Sequence, residues 1–349
     1  MNKLEALKRA SDKHNEIKNE IISCFKNNNI TIDDKPNEFL EITLFQLRNF
    51  IESKIVSKNE VNMGLAFPIG INGDCIVAHY TPTKTASNSE LPYYLDYQSK
   101  VKDFKILKID YGIHINGYII DKAFSINIHK TELEDNLIKA SDQAVNNILK
   151  NIGVDARLNE LADSAKEIVE SYEDNAGNPL KIVKNVYSHN IDRWRVHANK
   201  FIMPDHCETT WKNYDETVKD GEQYAIEIYA SNGKGEGALV SNPQVHSHFK
   251  LKDEYYDKPI KLFDINALNV MADSIKHSFK TLPFCPNFIK FKIDKKKPSH
   301  QKSINLCQQL QSFGIVESYP PITELDLNSS VSQIEKNVLV SNKCKNIFD

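Results

Sequence analysis

The chain has 349 residues, 40% hydrophobic and 26% charged, with a formal net charge of −3. That length suits one large core or two smaller ones, and the balanced charge gives no reason to expect nucleic acid or an anionic membrane as a partner. No run approaches the ~20 apolar residues that cross a bilayer, the mixed-charge start Met1 to Arg9 lacks the apolar stretch of a signal peptide, and six scattered cysteines without a CxxC pair suit reduced thiols in the cytosol.

Leu7, Ala10, His14, Ile17, Ile21 and Phe25 recur at steps of three and four and predict an opening helix. A second helix is expected over about 36–55, from Phe39, Ile42, Phe45, Leu47 and Ile51. Short strands are expected near 64–68 and 74–78. Asn116-Gly117 then separates two β-branched runs, the composition of a two-residue hairpin. Thr131-Glu132-Leu133-Glu134 has the form of a capping box, opening a helix to about Asn151 with Gly153 beyond it. Another helix is expected over about 158–172, and strands over 181–187, 223–230 and 333–340. Between the last two strands, residues 255–318 read as a helical insertion within a single mixed α/β domain spanning 1–349. Lys295-Lys296-Lys297 inside it has the composition of a nucleic-acid patch, but three lysines in a loop read first as solvated.

The hairpin has a geometric consequence. With Asn116 and Gly117 as the loop, paired positions sum to 233, so Asp110 faces Ala123. Asp121 then lies on the same face as Asp110, a diagonal neighbour roughly 7–8 Å away at the backbone. Two inward aspartates repel, and each pKa rises unless a cation joins them. A divalent metal is the simplest such cation; two solvent-facing aspartates are the alternative. His114 shares that face nearer the tip, where a structural role is expected.

Several strings together resemble the type 2 methionine aminopeptidases. They are Gly64-Leu65-Ala66-Phe67-Pro68-Ile69-Gly70 with Ala78-His79-Tyr80-Thr81-Pro82, then Lys108-Ile109-Asp110-Tyr111-Gly112 with Gly117 to Phe124. Arg195-Val196-His197-Ala198-Asn199-Lys200, Tyr224-Ala225-Ile226-Glu227 with Gly233-Lys234-Gly235, and Ser247-His248-Phe249 follow. Gly314 to Pro321 and Gln333-Ile334-Glu335 complete a resemblance that runs over about 5–345 and includes the helical insertion.

The resemblance implies a pita-bread fold, an α/β (α+β) architecture in which a pseudo-twofold curved antiparallel sheet is flanked by helices. It implies a dinuclear site in which Asp110 holds one metal, His189 and Glu227 the other, and Asp121 and Glu335 bridge them. Four carboxylates would be neutralised by two divalent ions, and the oxygen-rich set with one imidazole suits Mn, Co, Fe or Zn. A metal-activated water would attack the scissile carbonyl, Glu227 would shuttle the proton, and His79 and His197 would hydrogen-bond the substrate and the developing oxyanion. Phe67, Val196, Tyr229, His248 and Tyr319, with the two histidines, would line a slot for the methionine thioether. The implied substrates are N-terminal methionine peptides and nascent chains, handled by a cytoplasmic monomer, with ribosome association left open.

The chain also departs from the family pattern. Ser188-His189-Asn190-Ile191-Asp192 stands where Gly-His-x-Ile-Gly is usual, removing two glycines and adding a negative charge near the metals. Ile228-Tyr229-Ala230 stands for Thr-Phe-Gly. Ser188-His189 is also found in proliferation-associated relatives, catalytically inactive binding proteins of ribosomes and RNA, which supply the alternative reading. Those relatives lose carboxylate ligands and carry a lysine-rich tail, whereas Asp121, Glu227 and Glu335 are present here and the chain ends Asn346-Ile347-Phe348-Asp349. A prolidase-like specificity is disfavoured by Phe67-Pro68, Tyr319-Pro320-Pro321 and the insertion.

Overall fold

The computed structural model describes residues 1–55, 62–84, 91–205, 215–260, 266–289 and 299–349. Cys207 and the Lys295-Lys296-Lys297 run lie outside these. Helix α1 (Lys3–Asn27) buries the face its spacing predicts, and Asn2 caps it by accepting from the Glu5 N–H at 2.9 Å. It ends where Asn28 turns left-handed, and a small hairpin of β1 (Ile30–Ile32) and β2 (Lys35–Asn37) follows. Helix α2 (Leu44–Ile55) therefore starts later than the expected residue 36. The reason is local: Thr43 and Gln46 form a reciprocal cap, with the Thr43 N–H on Gln46 Oε1 at 2.9 Å and the Gln46 N–H on Thr43 Oγ1 at 3.2 Å.

Next come β3 (Met63–Leu65), β4 (Gly70–Gly73), β5 (Ile76–Ala78) and the long hairpin of β6 (Ile106–Ile115) and β7 (Tyr118–Asn127). Asn116 and Gly117 both have positive φ, as a two-residue turn of this kind requires, and Asp110 pairs with Ala123 as expected. Helix α3 (Glu132–Asn151) begins at Thr131, but the expected capping box does not form. Asn127 Oδ1 instead accepts from the Thr131 N–H at 3.3 Å, the bond a capping-box Glu134 would make, while its amide donates to the Thr131 carbonyl at 2.7 Å and to Asp135 Oδ1 at 2.8 Å. Glu134 is drawn instead to the buried Ser330 hydroxyl at 2.8 Å. Then follow α4 (Leu158–Glu170), β8 (Lys181–Ile182), β9 (Ser188–Ile191), β10 (Phe201–Ile202), β11 (Gln223–Ser231) and β12 (Gly237–Leu239). The last part contains β13 (His248–Leu251), α5 (Asn266–Phe279), α6 (His300–Ser312), β14 (Val316–Tyr319), β15 (Ile322–Glu324), β16 (Val331–Val340) and β17 (Lys345–Phe348).

The main sheet runs in the order β10-β9-β11-β16-β7-β6-β3, with β4, β8 and β17 pairing at its margins. It is built from two similar halves. The hairpin β6–β7 is backed by α1, and the pair β11–β16 by α3. Alternation assigns the faces: Ile109, Tyr111 and Ile113 join α1 and α2 in one core, while Tyr224, Ile226 and Ile228 join α3 and α4 in another. The residues between them, Asp110, Ala225, Glu227 and Tyr229, point away from the helices. That opposite face carries the site.

The 252–315 stretch, close to the expected insertion, leaves and returns through the antiparallel ribbon β13–β14, where His248 pairs with Tyr319 and Leu251 with Val316. Its own core packs Phe249 and Leu251 against Leu268, Met271, Ile275 and Leu310. The two helices thus hold a ribbon whose tip projects His248 and Tyr319 toward the main sheet. Leu310→Ala, at a fully buried position, is expected to cost about 2–5 kcal/mol in urea-monitored unfolding. A cost below about 1 kcal/mol would mean that α6 does not pack against this ribbon.

Candidate active site

The register of the sheet builds the site. Glu227 on β11 pairs with Glu335 on β16, Glu335 with Ala123 on β7, and Ala123 with Asp110 on β6. Four strands thus place three carboxylates in one cross-strand row, with an alanine in the gap, and directly paired residues share a face. Asp121, two residues from Ala123, and His189, paired with Ala225 two residues from Glu227, fall on the same face. The backbone N–H and C=O of Glu227 both turn to the Ser188 hydroxyl, at 2.9 and 2.8 Å. Glu227 and Glu335 are therefore a non-hydrogen-bonded pair, the type that brings side chains closest.

Above the row is a cavity of about 360 Å³. Every site residue expected from sequence lines it: Asp110, Asp121, His189, Glu227 and Glu335 on the floor, and Phe67, His79, Val196, His197, Tyr229, His248 and Tyr319 around it. His189 Nε2 is 3.7 Å from Asp121 Oδ2 and 3.8 Å from Glu227 Oε1. The His197 ring stands edge-on to His189 at 4.2 Å between centroids, and the His79 ring lies 5.5 Å from His248 and 5.9 Å from Tyr319. His79 has φ +65°, a strained value for a residue with a Cβ, and functional sites are where such strain collects. A Cβ at Gly112 would sit 2.3 Å from the Phe67 ring, so the wall depends on that glycine.

Sequence reasoning missed the polar groups that support this floor. Tyr229 was expected only as pocket wall, yet its hydroxyl donates to Glu227 Oε2 at 2.7 Å. Gln333 Nε2 donates to the Tyr229 oxygen at 2.8 Å and to Asp110 Oδ2 at 3.3 Å. Asn337 brackets Asp121, accepting from its N–H at 3.0 Å and donating to its C=O at 2.6 Å. The available signal was spacing, since Gln333 and Asn337 lie two residues either side of Glu335 and so share its face. His114 stays outside the cavity against Trp194, at 4.9 Å between ring centroids, in the structural role expected. Asp192 is exposed and closes a turn with Arg195, so its charge does not enter the site as the lost glycine suggested.

Residues 5–246 match metallopeptidase family M24. The protein named methionine aminopeptidase 2-2 of Pyrenophora tritici-repentis is 31% identical over 289 residues, 82% of this chain and 57% of that protein. The chain belongs to metallopeptidase family M24. It spans less than two thirds of the length of that curated relative, 57%. Among solved structures, a thermophilic Arx1 superposes with a TM-score of 0.73 at 13% identity, covering 99% of this chain and 90% of that one. The methionine aminopeptidase of Thermotoga maritima gives 0.57 at 13% identity, covering 99% and 96%. The architecture of this M24 chain is the pita-bread fold.

The electrostatics of the M24 site show what the floor lacks. Burial pushes Asp110 up to about 7, against the pull of the Gln333 hydrogen bond. Burial likewise pushes Glu227 up to about 8, opposed by Tyr229 and aided by the Asp110 charge. Asp121 and Glu335, each 3% exposed, are raised well above the carboxylate range by burial and then by the other acids. Among the described residues, the only ion pairs reaching Asp121 or Glu227 are those with His189, which burial depresses to about 4 and so keeps neutral. Asp110 Oδ1 is buried with no hydrogen-bond partner. Asp121, His189 and Glu335 each offer a ligand atom within 4.8 Å of the others. The donor set therefore fits divalent cations, which the family implies: such ions would supply the charge these acids otherwise obtain as protons.

The sign of the linkage follows. A raised folded-state pKa means that ionising Glu335 costs more in the folded chain than in the unfolded one. The penalty is absent below the unfolded value of 4.5 and grows as pH rises above it. In metal-free protein, Glu335→Gln should therefore gain stability relative to the parent as pH rises above 4.5, read as a widening difference in Tm. A difference that is flat or shrinks over that range would show that the acids do not share a buried site.

Proposed function

We propose that this chain is a cytoplasmic, monomeric metal-dependent aminopeptidase that removes N-terminal methionine from peptides and nascent proteins. A single catalytic domain over 1–349 would carry the insertion at 255–318. The observation that carries the reading is the row of buried acids, without a lysine or arginine counter-charge among the described residues, beneath an aromatic-walled cavity of about 360 Å³. The similarity to type 2 methionine aminopeptidases supports it.

Asp110 would hold one divalent cation and His189 with Glu227 a second, with Asp121 and Glu335 reaching both. When bound, the cations neutralise the carboxylates and make a water easier to deprotonate. Glu227 accepts the proton of the attacking water and returns it to the departing amine, so that water adds across the peptide bond and free methionine leaves. His79 is depressed to about 4 and His197 below its usual value, both mainly by burial. Both are therefore neutral at physiological pH and act as hydrogen-bond donors, not charges, toward the substrate carbonyl and the oxyanion. The side chain of the first residue lies against Phe67, Val196, Tyr229, His248 and Tyr319, where an unbranched thioether finds apolar and aromatic surface.

The test combines elemental analysis with a Met-Ala-Ser peptide. About two Mn, Co, Fe or Zn ions per chain and release of free methionine are expected. A chain that takes up no metal under replete conditions is instead a binding protein on the same scaffold. Glu227→Gln should lower kcat by at least about 10²–10⁴-fold while the chain stays folded by circular dichroism; unchanged turnover would mean that another residue is the base. Asp192→Gly should leave turnover unchanged, because Asp192 is exposed. A rise in activity would place its charge within reach of the chemistry.

A further inference from the structure

Two hydroxyls hold Glu227, and both come from positions where the chain departs from the pattern of the type 2 enzymes. Ser188, in place of glycine, grips the main chain: its Oγ accepts from the Glu227 N–H at 2.9 Å and donates to the Glu227 C=O at 2.8 Å. Tyr229, in place of phenylalanine, grips the side chain through Oε2 at 2.7 Å. The Tyr229 proton has no freedom to go elsewhere, because the phenolic oxygen already accepts from Gln333 Nε2 at 2.8 Å. Gln333 is itself anchored on Asp110 Oδ2 at 3.3 Å. The two oxygens of Glu227 are thereby divided, with Oε1 facing His189 Nε2 at 3.8 Å and Oε2 committed to Tyr229.

We propose that Tyr229 is a positioning residue for Glu227, its hydroxyl fixing Oε1 toward His189 and so strengthening the hold of that pair on a divalent cation, with Ser188 fixing the main chain beneath. The proposal rests on the reading of this floor as a cation site. A glutamate free to rotate loses side-chain entropy when it takes up a ligand, and one already held does not. Because the hydrogen bond uses the oxygen that faces away from His189, it does not compete with the cation. The two departures from the family pattern act as a matched pair on one residue, where each alone reads as a defect.

Calorimetric titration of Mn²⁺ into metal-free protein tests this without relying on turnover. Tyr229→Phe should bind about tenfold more weakly at unchanged stoichiometry, as loss of a hydrogen bond behind a ligand does. The same variant should show a lower kcat that recovers at saturating Mn²⁺; a merely structural role would lower Tm without moving the affinity of the folded chain. Equal affinity overturns the proposal, and tighter binding overturns it by showing that the hydroxyl competes with the cation. Ser188→Ala serves as the second variant: should Tyr229→Phe fail to fold, parental affinity in Ser188→Ala overturns the proposal. A parent chain that binds Mn²⁺ but releases no methionine removes the proposed activity and leaves this inference standing. A parent that takes up no Mn²⁺ overturns both.

Discussion

Mutual repulsion among four buried acids is the constraint around which the site is organised. A folded chain does not willingly bring Asp110, Asp121, Glu227 and Glu335 to one face of a sheet and cover them. Each must be protonated, hydrogen-bonded or matched by a cation. The structure shows the first two answers in part: burial pushes Asp110 to about 7 and Glu227 to about 8, and Tyr229 and Gln333 each spend donors on the floor. Asp110 Oδ1 is left unanswered. A fold retains such an arrangement when a ligand supplies the missing charge, and the M24 family is one of metallopeptidases.

The aromatic side of the cavity solves a different problem. His248 and Tyr319 are far apart in sequence, yet pair directly across β13–β14. Zipping the two ends of the insertion together gives a rigid ribbon, and the core of Phe249, Leu268, Met271 and Leu310 keeps it in place. The 252–315 stretch is thereby joined to the pocket wall, which its own Pro283 also lines. His79 meets the ribbon from β5, at a backbone angle costly for a residue with a side chain.

How much of this was legible varies with the kind of interaction. The β6–β7 hairpin could be read to the residue, because Asn-Gly sets the turn and the turn sets the register. The residues that line the cavity could be named because short strings fall in a familiar order. What could not be read were side chains that replace main-chain partners. Thr131 and Glu134 have the letters of a capping box, but Asn127 accepts the Thr131 N–H and the distant Ser330 hydroxyl draws Glu134 away. Ser188 reads as a lost glycine, and only its position beside Glu227, where β9 stops pairing with β11, turns it into a support. Local spacing carries no information about which distant backbone lacks a partner.

The same substitution recurs at the join between the two halves of the sheet. There β7 and β16 pair directly only at Ala123 and Glu335, among the described residues. On one side of that point the Ser125 hydroxyl spans the Gln333 main chain, and on the other the Asn337 amide spans that of Asp121. Side chains bridge the two main chains where direct pairing of β7 and β16 stops. Asp110 and Asp121 sit on one lip of this opening, Glu227 and Glu335 on the other. A cation lodged there would fasten across a seam the backbone leaves unstitched, so that grip on the ion and grip between the halves become one mechanical property.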